Sequence, residues 1–311
     1  MFSEETVMLK KYIISNKKLV EVNGENAQVY VYTNPDAQEQ RFLVDQYQID
    51  EHTLASALDP DELPRLEFEP EHIVMIYKRP KNYSGKDQLE FKVASVGMFL
   101  FEQKLVIVLA EDIPLFVGKR FQSVSSIKEI FLKLVYNSIS HYVEHLRIIH
   151  MISEEIEDKT TEAMDNTYLQ NLFSLEKSLV YYAEAITSNG FVFEKMRNLS
   201  ARIGFEEKDE EMLDDMIVEN MQCKTQADIY SNILAQLLGA RASIVSNNLN
   251  LLIKKLNVIT IWMMVPTLVV SVYGMNVALP LADHPDAFWM LMGVCLILVW
   301  LVMMFWRHKN W

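Results

Sequence analysis

The sequence predicts an α+β domain followed by a long helix that continues into the first of two membrane-spanning helices. Three observations lead to this fold class. Apolar residues alternate with a period of two in much of the first 124 residues, and from residue 125 they recur with a period near 3.6. Strands and helices in separate blocks are typical of an α+β domain. From residue 256 onward, two long runs contain no charged side chain.

The first block is predicted to contain short strands and one helix. Residues 17–22 (KKLVEV) and 28–33 (QVYVYT) are interpreted as two strands joined by a turn at Asn23-Gly24. A helix is expected over residues 40–58. It should end there, because the DPDELP sequence that follows carries two prolines that prevent its continuation. A meander of three strands then covers residues 72–79, 89–101 and 104–112, with its last turn near residues 102–104.

The second block is predicted to contain three helices. Residues 127–158 and 167–196 form two amphipathic patterns, and the second is interrupted near the Asn189-Gly190 pair. A third pattern, over residues 207–276, meets no proline before Pro266. As a single helix it would be about 105 Å long. Its recurring apolar positions are explained equally well by packing within one subunit and by packing between subunits.

These patterns divide the chain into seven predicted segments. They are an α+β domain (1–124), a helical hairpin (125–205), a stalk helix (206–255), a first span (256–276), a loop (277–286), a second span (287–306) and a basic tail (307–311).

The charge distribution indicates how the chain is placed at the membrane. The uncharged runs cover residues 256–282 and 287–306, and each is long enough to cross a bilayer. Basic residues flank the two spans and are absent from the loop between them, so we expect both termini to be cytoplasmic in a cell membrane. These basic residues are Lys254, Lys255, Arg307 and Lys309.

The composition excludes several classes of protein. The net charge of −13 lies entirely before the first span, which makes nucleic acid an unfavourable partner. With only Cys223 and Cys295, a disulfide framework is excluded. The N-terminus shows no signal-peptide pattern, so we expect the C-terminal spans to direct insertion. No nucleophile, base and orienting group cluster, so an enzyme is not predicted, and no GxxxxGK[ST] sequence offers an ATP site.

The end of the first span carries the most informative residues. Tyr273-Gly274-Met275-Asn276 stands there, followed by a short loop and a second span. The chain resembles the CorA family of magnesium channels, whose signature is Gly-Met-Asn at this place. The likeness extends to residues 246–260 (SNNLNLLIKKLNVIT) and to the DPDELPRLEF and VASVGMFLFEQKLVIVLAE segments. The loop departs from the family, because Val277 replaces a frequent aromatic residue and the acidic positions are Asp283 and Asp286.

The resemblance implies a homopentameric channel in the lipid bilayer that carries hydrated Mg²⁺ inward, with Co²⁺ and Ni²⁺ as further candidate ions. Mg²⁺ holds its waters tightly and prefers oxygen ligands, so a ring of Asn276 amide oxygens suits recognition through those waters. Gly274 would allow close approach or a sharp helix end, and Tyr273 would brace the ring. The alternative for Gly-Met-Asn alone is an ordinary helix cap.

A stripe of residues along the first span is predicted to face the pore. Family alignment without gaps assigns pore-lining positions to Asn250, Leu256, Met264 and Thr267, and helical spacing adds Thr260. Leu256 and Met264 suit an apolar constriction that gates by dewetting. The membrane potential suffices to drive entry, because a divalent ion gains roughly 4.6 kcal/mol per 100 mV.

Feedback by cytoplasmic Mg²⁺ is predicted from an acidic segment at residues 206–219, which carries eight acidic residues against Lys208 alone. The helix dipole explains the acidic residues of the first turn, but Asp214, Asp215 and Glu219 lie beyond that turn. The resemblance assigns Asp215 to an acidic position that the family uses for an intersubunit metal site. Two alternatives stay open, namely a Zn²⁺ transporter of the same superfamily and a membrane-anchored sensor or interaction protein without transport.

Overall fold

The structure is a computed structural model that describes residues 8–24, 26–83, 89–158, 166–277, 280 and 284–308. The chain divides into two compact units, Met1–Leu238 and Gly239–Trp311. Among the described residues, the first unit contains a sheet, five α-helices, a 3-10 helix (Lys119–Gln122) and the start of a sixth α-helix. The second contains the rest of that helix, a further helix and all five tryptophans of the chain. The seven segment boundaries given above stay predictions.

One seven-stranded sheet organises the first unit. Its strand order is β2-β1-β3-β7-β6-β5-β4, and only the β3–β7 pair is parallel among the described strands. The strands are β1 (Met8–Ser15), β2 (Lys18–Glu21), β3 (Val29–Thr33), β4 (Arg65–Phe68), β5 (Ile73–Pro80), β6 (Val93–Leu100) and β7 (Leu105–Leu109). The predicted meander is confirmed as β5, β6 and β7, with the last turn closed by the Phe101 amide on the Lys104 carbonyl.

The two strands predicted over residues 17–22 and 28–33 are confirmed as β2 and β3, but their pairing as a hairpin is wrong, because β1 lies between them and pairs with both. The sequence of β1 hides its pattern, since Lys10 and Lys11 interrupt the apolar alternation. The turn that follows consists of Asn16 and Lys17, both at positive φ (51° and 60°). Two such residues form the tight hairpin turn that strand twist favours, but lysine is not the residue that signals it.

Helices cover both faces of the sheet. The first face packs on α1 (Ala37–Tyr47) and α2 (Glu51–Leu58), where the side chains of Leu43 and Leu54 are buried. The continuous helix expected over residues 40–58 is therefore wrong. Gln48 adopts a left-handed conformation that ends α1, and the Asp50 side chain caps α2 by accepting from the Thr53 amide at 2.9 Å.

The closest helix–sheet approach explains one glycine. A Cβ on Gly97 of β6 would collide with the Cβ of Ala57 in α2, so only glycine fits without displacement of the helix. This contact sets α2 directly against the strand.

The opposite face packs on α3 (Ile127–Asp158) and α4 (Asn166–Asn198), followed by the short α5 (Ser200–Ile203). The predicted interruption of the second helix at Asn189-Gly190 is wrong. The Asn189 side chain is buried, and it accepts from the Lys78 amide at 2.9 Å and donates to the Lys78 carbonyl at 2.7 Å. Gly190 lies close to Asn220, where a Cβ would come within 3.0 Å of the side-chain nitrogen. Both residues therefore serve tertiary contacts rather than a helix end.

The long helix is confirmed as α6 (Glu207–Tyr273), 67 residues in all, and it contains Pro266. It ends three residues before the predicted position, Asn276. The last helix, α7 (Ala287–His308), covers the predicted second span. Both α6 and α7 contain a stretch that is long and apolar enough to cross a membrane.

Replacement of Asn189 by alanine should destabilise the first unit. The Lys78 amide loses the Asn189 acceptor, and the Lys78 carbonyl keeps only the longer contact from the Ser138 hydroxyl at 3.4 Å. An unpaired buried group costs about 1–3 kcal/mol. We expect the apparent melting temperature of the full chain to fall by roughly 5 °C. The matched control is Gln170→Ala on the exposed surface of the same helix, which should melt as the original does. Equal melting of both variants would contradict the assigned role of Asn189.

Candidate functional site

The helix α6 ends in a tight turn at the Gly-Met-Asn residues. The Gly274 amide donates to the carbonyls of Val270 (3.0 Å) and Ser271 (3.2 Å), and the Met275 amide donates to Val272 (3.3 Å). Gly274 is not among the positive-φ residues of the described chain, so a left-handed cap does not explain this glycine. A Cβ there would make only ordinary contacts at 3.5 Å, so close approach within one subunit does not explain it either.

The residues around this turn are exposed in the single chain. Asn276 is exposed, and Met275 is 55% exposed. The Tyr273 hydroxyl donates to the Pro280 carbonyl at 3.4 Å, which ties the helix end to the loop rather than to Asn276. Asp286 is exposed just before α7, where its carbonyl accepts from Met290, while Asp283 lies outside the described residues.

The predicted pore positions share one side of α6. At about 100° per residue, Leu256, Thr260, Met264 and Thr267 fall within roughly 80° of the circumference, and Asn250 lies about 40° beyond Met264. All five are exposed in the single chain, with Leu256 at 61% and Met264 at 63%.

The two threonines of this stripe use their hydroxyl protons within the helix. Thr260 donates to the Leu256 carbonyl at 2.9 Å, and Thr267 donates to the Met263 carbonyl at 2.6 Å. A hydroxyl has one proton and two acceptor lone pairs. Each threonine oxygen therefore still has a lone pair that can accept a hydrogen bond. A water molecule bound to a hydrated cation can donate that hydrogen bond.

The acidic segment at the start of α6 separates into held and free carboxylates. Asp214 accepts a two-point ion pair from Arg197 of α4, with Nε–Oδ1 at 2.6 Å and a second contact at 3.2 Å. The same guanidinium reaches Glu210 at 3.1 Å. Glu219 accepts from the Tyr136 hydroxyl of α3 at 2.6 Å, and Arg120 lies over the Tyr136 ring at 3.8 Å.

Asp215 differs from these neighbours. Its side chain is exposed, and no hydrogen bond or ion pair engages it among the described residues. Within one chain, the described residues contain no group of three or more His, Cys, Asp or Glu side chains that could hold a metal ion. Asp214, Asp215 and Glu219 follow each other on one helix, but only Asp215 has an unengaged carboxylate.

A buried ion pair within α3 has a longer contact from the exposed Lys208 at the start of α6. Lys133 contacts Glu129 at 2.7 Å, and Lys208 of α6 reaches the same Glu129 oxygen at 3.4 Å. Burial raises the pKa of the Glu129 carboxyl, but hydrogen bonds from Lys133 and Ser125 outweigh it and bring the pKa to about 2. Glu129 is therefore an anion at every physiological pH.

The contacts of Arg197 and Tyr136 with the acidic segment were not predicted. A signal was available for Arg197, because a basic residue near the end of one helix precedes an acid-rich helix start. Tyr136 offered none, since its partner is 83 residues away in the sequence.

Known proteins are similar to this chain over most of its length. A family described as CorA-like Mg²⁺ transporter protein matches residues 27–308. The cobalt/magnesium transport protein CorA of Methanocaldococcus jannaschii is 24% identical over 269 residues, 83% of each chain. The complete structure of the CorA magnesium transporter from that organism superposes with a TM-score of 0.79 at 21% identity, covering 98% of this chain and 99% of the other.

Two further structures share the fold at lower identity. The full-length CmaX protein gives a TM-score of 0.73 at 15% identity, with 99% of this chain and all (100%) of the other covered. The ZntB cytoplasmic domain from Vibrio parahaemolyticus gives 0.58 at 11% identity, with 78% and 99% covered.

A mixed-sheet domain is followed by a long helix that becomes apolar and, after a short loop, by a second apolar helix, so the described chain has two candidate membrane spans. Because the family match covers most of the chain, the protein belongs to the CorA-like Mg²⁺ transporter family. This is a family of transporters and not a class of enzymes.

Replacement of Glu129 by glutamine should lower stability in a pH-dependent way. The folded pKa of Glu129 lies below its unfolded value, so its contribution is present above about pH 4.5 and is lost as pH falls toward 2. Breaking a buried pair costs about 3 kcal/mol at neutral pH. We expect the melting-temperature gap between the original and Glu129→Gln to narrow from pH 6 to pH 3 in thermal scans. The exposed Glu21→Gln is the control, and a gap independent of pH would contradict the assignment.

Proposed function

We propose that this chain forms a homopentameric channel for influx of hydrated Mg²⁺, driven by the membrane potential and closed by cytoplasmic Mg²⁺. The observation that carries the proposal is the exposed Asn276 just beyond the end of α6, between two apolar helices, in a chain of the CorA-like Mg²⁺ transporter family. Both termini are proposed to be cytoplasmic, since Lys254 and Lys255 precede the first span.

The proposed filter consists of Tyr273, Gly274, Met275 and Asn276, repeated around the pore. Asn276 oxygens accept hydrogen bonds from the waters of Mg²⁺, so the ion enters without losing its hydration shell. Gly274 has no steric requirement within one chain, which favours close approach of neighbouring subunits as its role. Tyr273 stabilises the turn through the loop carbonyl of Pro280. Asp283 and Asp286 are proposed to attract cations to the outer mouth.

The proposed pore continues along the stripe from Thr267 to Asn250. The free acceptor lone pairs of Thr260 and Thr267 receive hydrogen bonds from the hydration waters. Leu256 and Met264 offer no such partner, and rings of these side chains would exclude water when they approach each other. The gate is therefore proposed at Leu256 and Met264.

Regulation is proposed to act through Asp215. A divalent ion between Asp215 and an acidic surface of the neighbouring subunit would offset their repulsion and hold the closed packing. Loss of cytoplasmic Mg²⁺ would release that repulsion and favour an open packing. Asp214 is the weaker candidate, because Arg197 already compensates its charge, and Glu219 is engaged by Tyr136.

The alternative functions differ in the transported ion or in the class of protein. The curated relative is named for cobalt as well as magnesium, which favours Co²⁺ as a second cargo. A Zn²⁺ transporter predicts a different ion preference, and a membrane-anchored sensor predicts no flux.

The filter is tested with full-length protein in liposomes that contain a Mg²⁺-sensitive dye, under an inside-negative potential. The original should take up Mg²⁺, and Asn276→Ala should reduce uptake at least about tenfold, because the oxygen ring is lost. The control Asn248→Ala replaces the same residue type away from the stripe and should keep uptake. Undiminished uptake by Asn276→Ala would reject the filter. Folded oligomers without any flux would favour the anchor, and preference for Zn²⁺ would favour the zinc transporter.

The regulatory site is tested by channel current against cytoplasmic Mg²⁺. Asp215→Asn should move the inhibition midpoint to roughly tenfold higher Mg²⁺, since one carboxylate ligand per site is lost. Asp214→Asn is the matched control, and its midpoint should move much less because Arg197 already neutralises Asp214. An unchanged midpoint in Asp215→Asn, or an equal shift in both variants, would reject Asp215 as the regulatory ligand.

A further inference from the structure

A cavity of about 330 Å³ lies within the Met1–Leu238 unit, between the end of β5, the middle of α3 and the loop at residues 113–118. Its size is at the lower end of the range for small-molecule pockets, about 300–1,000 Å³. Apolar loop residues such as Ile113 and Leu115 form one wall, and Leu134 of α3 contributes to the lining. The polar lining includes a single cationic residue, Arg79.

Arg79 is buried because of its place in the strand. Alternate residues of β5 face the helices α3 and α4, and Met75 and Tyr77 occupy that side ahead of Arg79. The Arg79 side chain is only 7% exposed, so its guanidinium is almost removed from solvent. Burial lowers the pKa of Arg79 from its usual value, although the group remains a cation at physiological pH.

The charge of Arg79 is incompletely compensated by the protein. One terminal nitrogen donates to the Pro80 carbonyl at 2.8 Å, and the Nε atom has no hydrogen-bond partner among the described residues. Among the described residues, the carboxylate that forms an ion pair with Arg79 is Glu111, at 3.9 Å from the other terminal nitrogen. Glu111 is held more closely by Lys81, at 2.5 Å. Desolvation of a charged group costs several kcal/mol unless a well-placed opposite charge repays it.

The remaining polar residues supply hydrogen bonds without a second positive charge. Asn82 and Asn137 line the cavity with amide groups that both donate and accept. His141 also lines it, and burial followed by the charge of Arg79 lowers the pKa of its imidazole, which is therefore neutral at pH 7. The one acidic lining residue, Glu144, is exposed to solvent.

We propose that this cavity binds a small organic oxyanion, a carboxylate or a phosphate on a compact apolar body, with Arg79 as its charged partner. The guanidinium matches the planar geometry of such groups through paired N–H donors. The amides and the neutral imidazole complete the hydrogen bonds, and the loop wall contacts the apolar body. This site uses none of the residues proposed for ion conduction, so it stands or falls independently of the transport function.

The proposal is tested by calorimetric titration of the full-length protein in detergent. The probes are benzoate, phenyl phosphate and inorganic phosphate, with benzamide as the neutral counterpart of benzoate. We expect saturable binding of benzoate or phenyl phosphate at millimolar concentration or below. Benzamide should bind at least about tenfold more weakly, because a hydrogen bond to a charged group contributes about 1.5–3 kcal/mol. The aromatic anion that binds with the higher affinity identifies the ligand as a carboxylate or a phosphate. Inorganic phosphate bound with equal affinity would contradict the proposed contact with an apolar body.

Two variants place the binding in this cavity. Arg79→Gln should weaken binding at least about tenfold through loss of the charged partner. Asn137→Phe should abolish it by filling the space while Arg79 stays in place. The matched control, Arg41→Gln, removes an exposed charge and should bind as the original does. Absence of anion binding to the original protein, equal binding of benzamide, or undiminished binding by folded Asn137→Phe would each overturn the proposal.

Discussion

The continuity of the helix α6 is the constraint on which the other features depend. This helix carries the acidic segment at its start and the apolar stripe near its end, so the two share one backbone over 67 residues. A helix resists local bending because each of its amides is bonded to a carbonyl four residues earlier. Pro266 removes one such donor, which makes its surroundings the least reinforced part of the ladder.

The start of α6 is held by ionic and polar contacts from two other helices. Arg197 of α4 binds Asp214 and Glu210, while Tyr136 of α3 binds Glu219. These contacts reduce the mutual repulsion of a strongly acidic stretch, which would otherwise oppose the packing of α6 on its neighbours. They do not involve Asp215, whose carboxylate has no partner in the described structure. The same packing thus stabilises the fold and leaves Asp215 without a partner in the described chain.

Local patterns in the sequence were sufficient to predict the meander, the long helix and the two apolar helices. They failed where a residue contacts a partner that is far away in the sequence. Asn189-Gly190 signals a helix end by composition, yet in the fold Asn189 binds the backbone of Lys78, 111 residues away. The strand β1 was missed because lysines interrupt its alternation and close its turn. Among the candidate site residues, the shared side of Leu256, Thr260, Met264 and Thr267 follows from helical periodicity alone. The pairing of Asp214 with Arg197 depends on how α4 and α6 pack. The basic end of α4 before an acid-rich helix start indicated an attraction, but not which residues form the pair.

The placement of the tryptophans has a practical consequence for spectroscopy. All five belong to the Gly239–Trp311 unit, and the four within the described chain, Trp262, Trp289, Trp300 and Trp306, lie in α6 and α7. Indole emission therefore reports on the Gly239–Trp311 unit and its lipid or detergent surroundings, whereas the sheet domain contains tyrosines and no tryptophan. Because only tryptophan is excited at the long-wavelength edge of the absorption band, the environment of the apolar helices can be followed without a signal from the sheet domain.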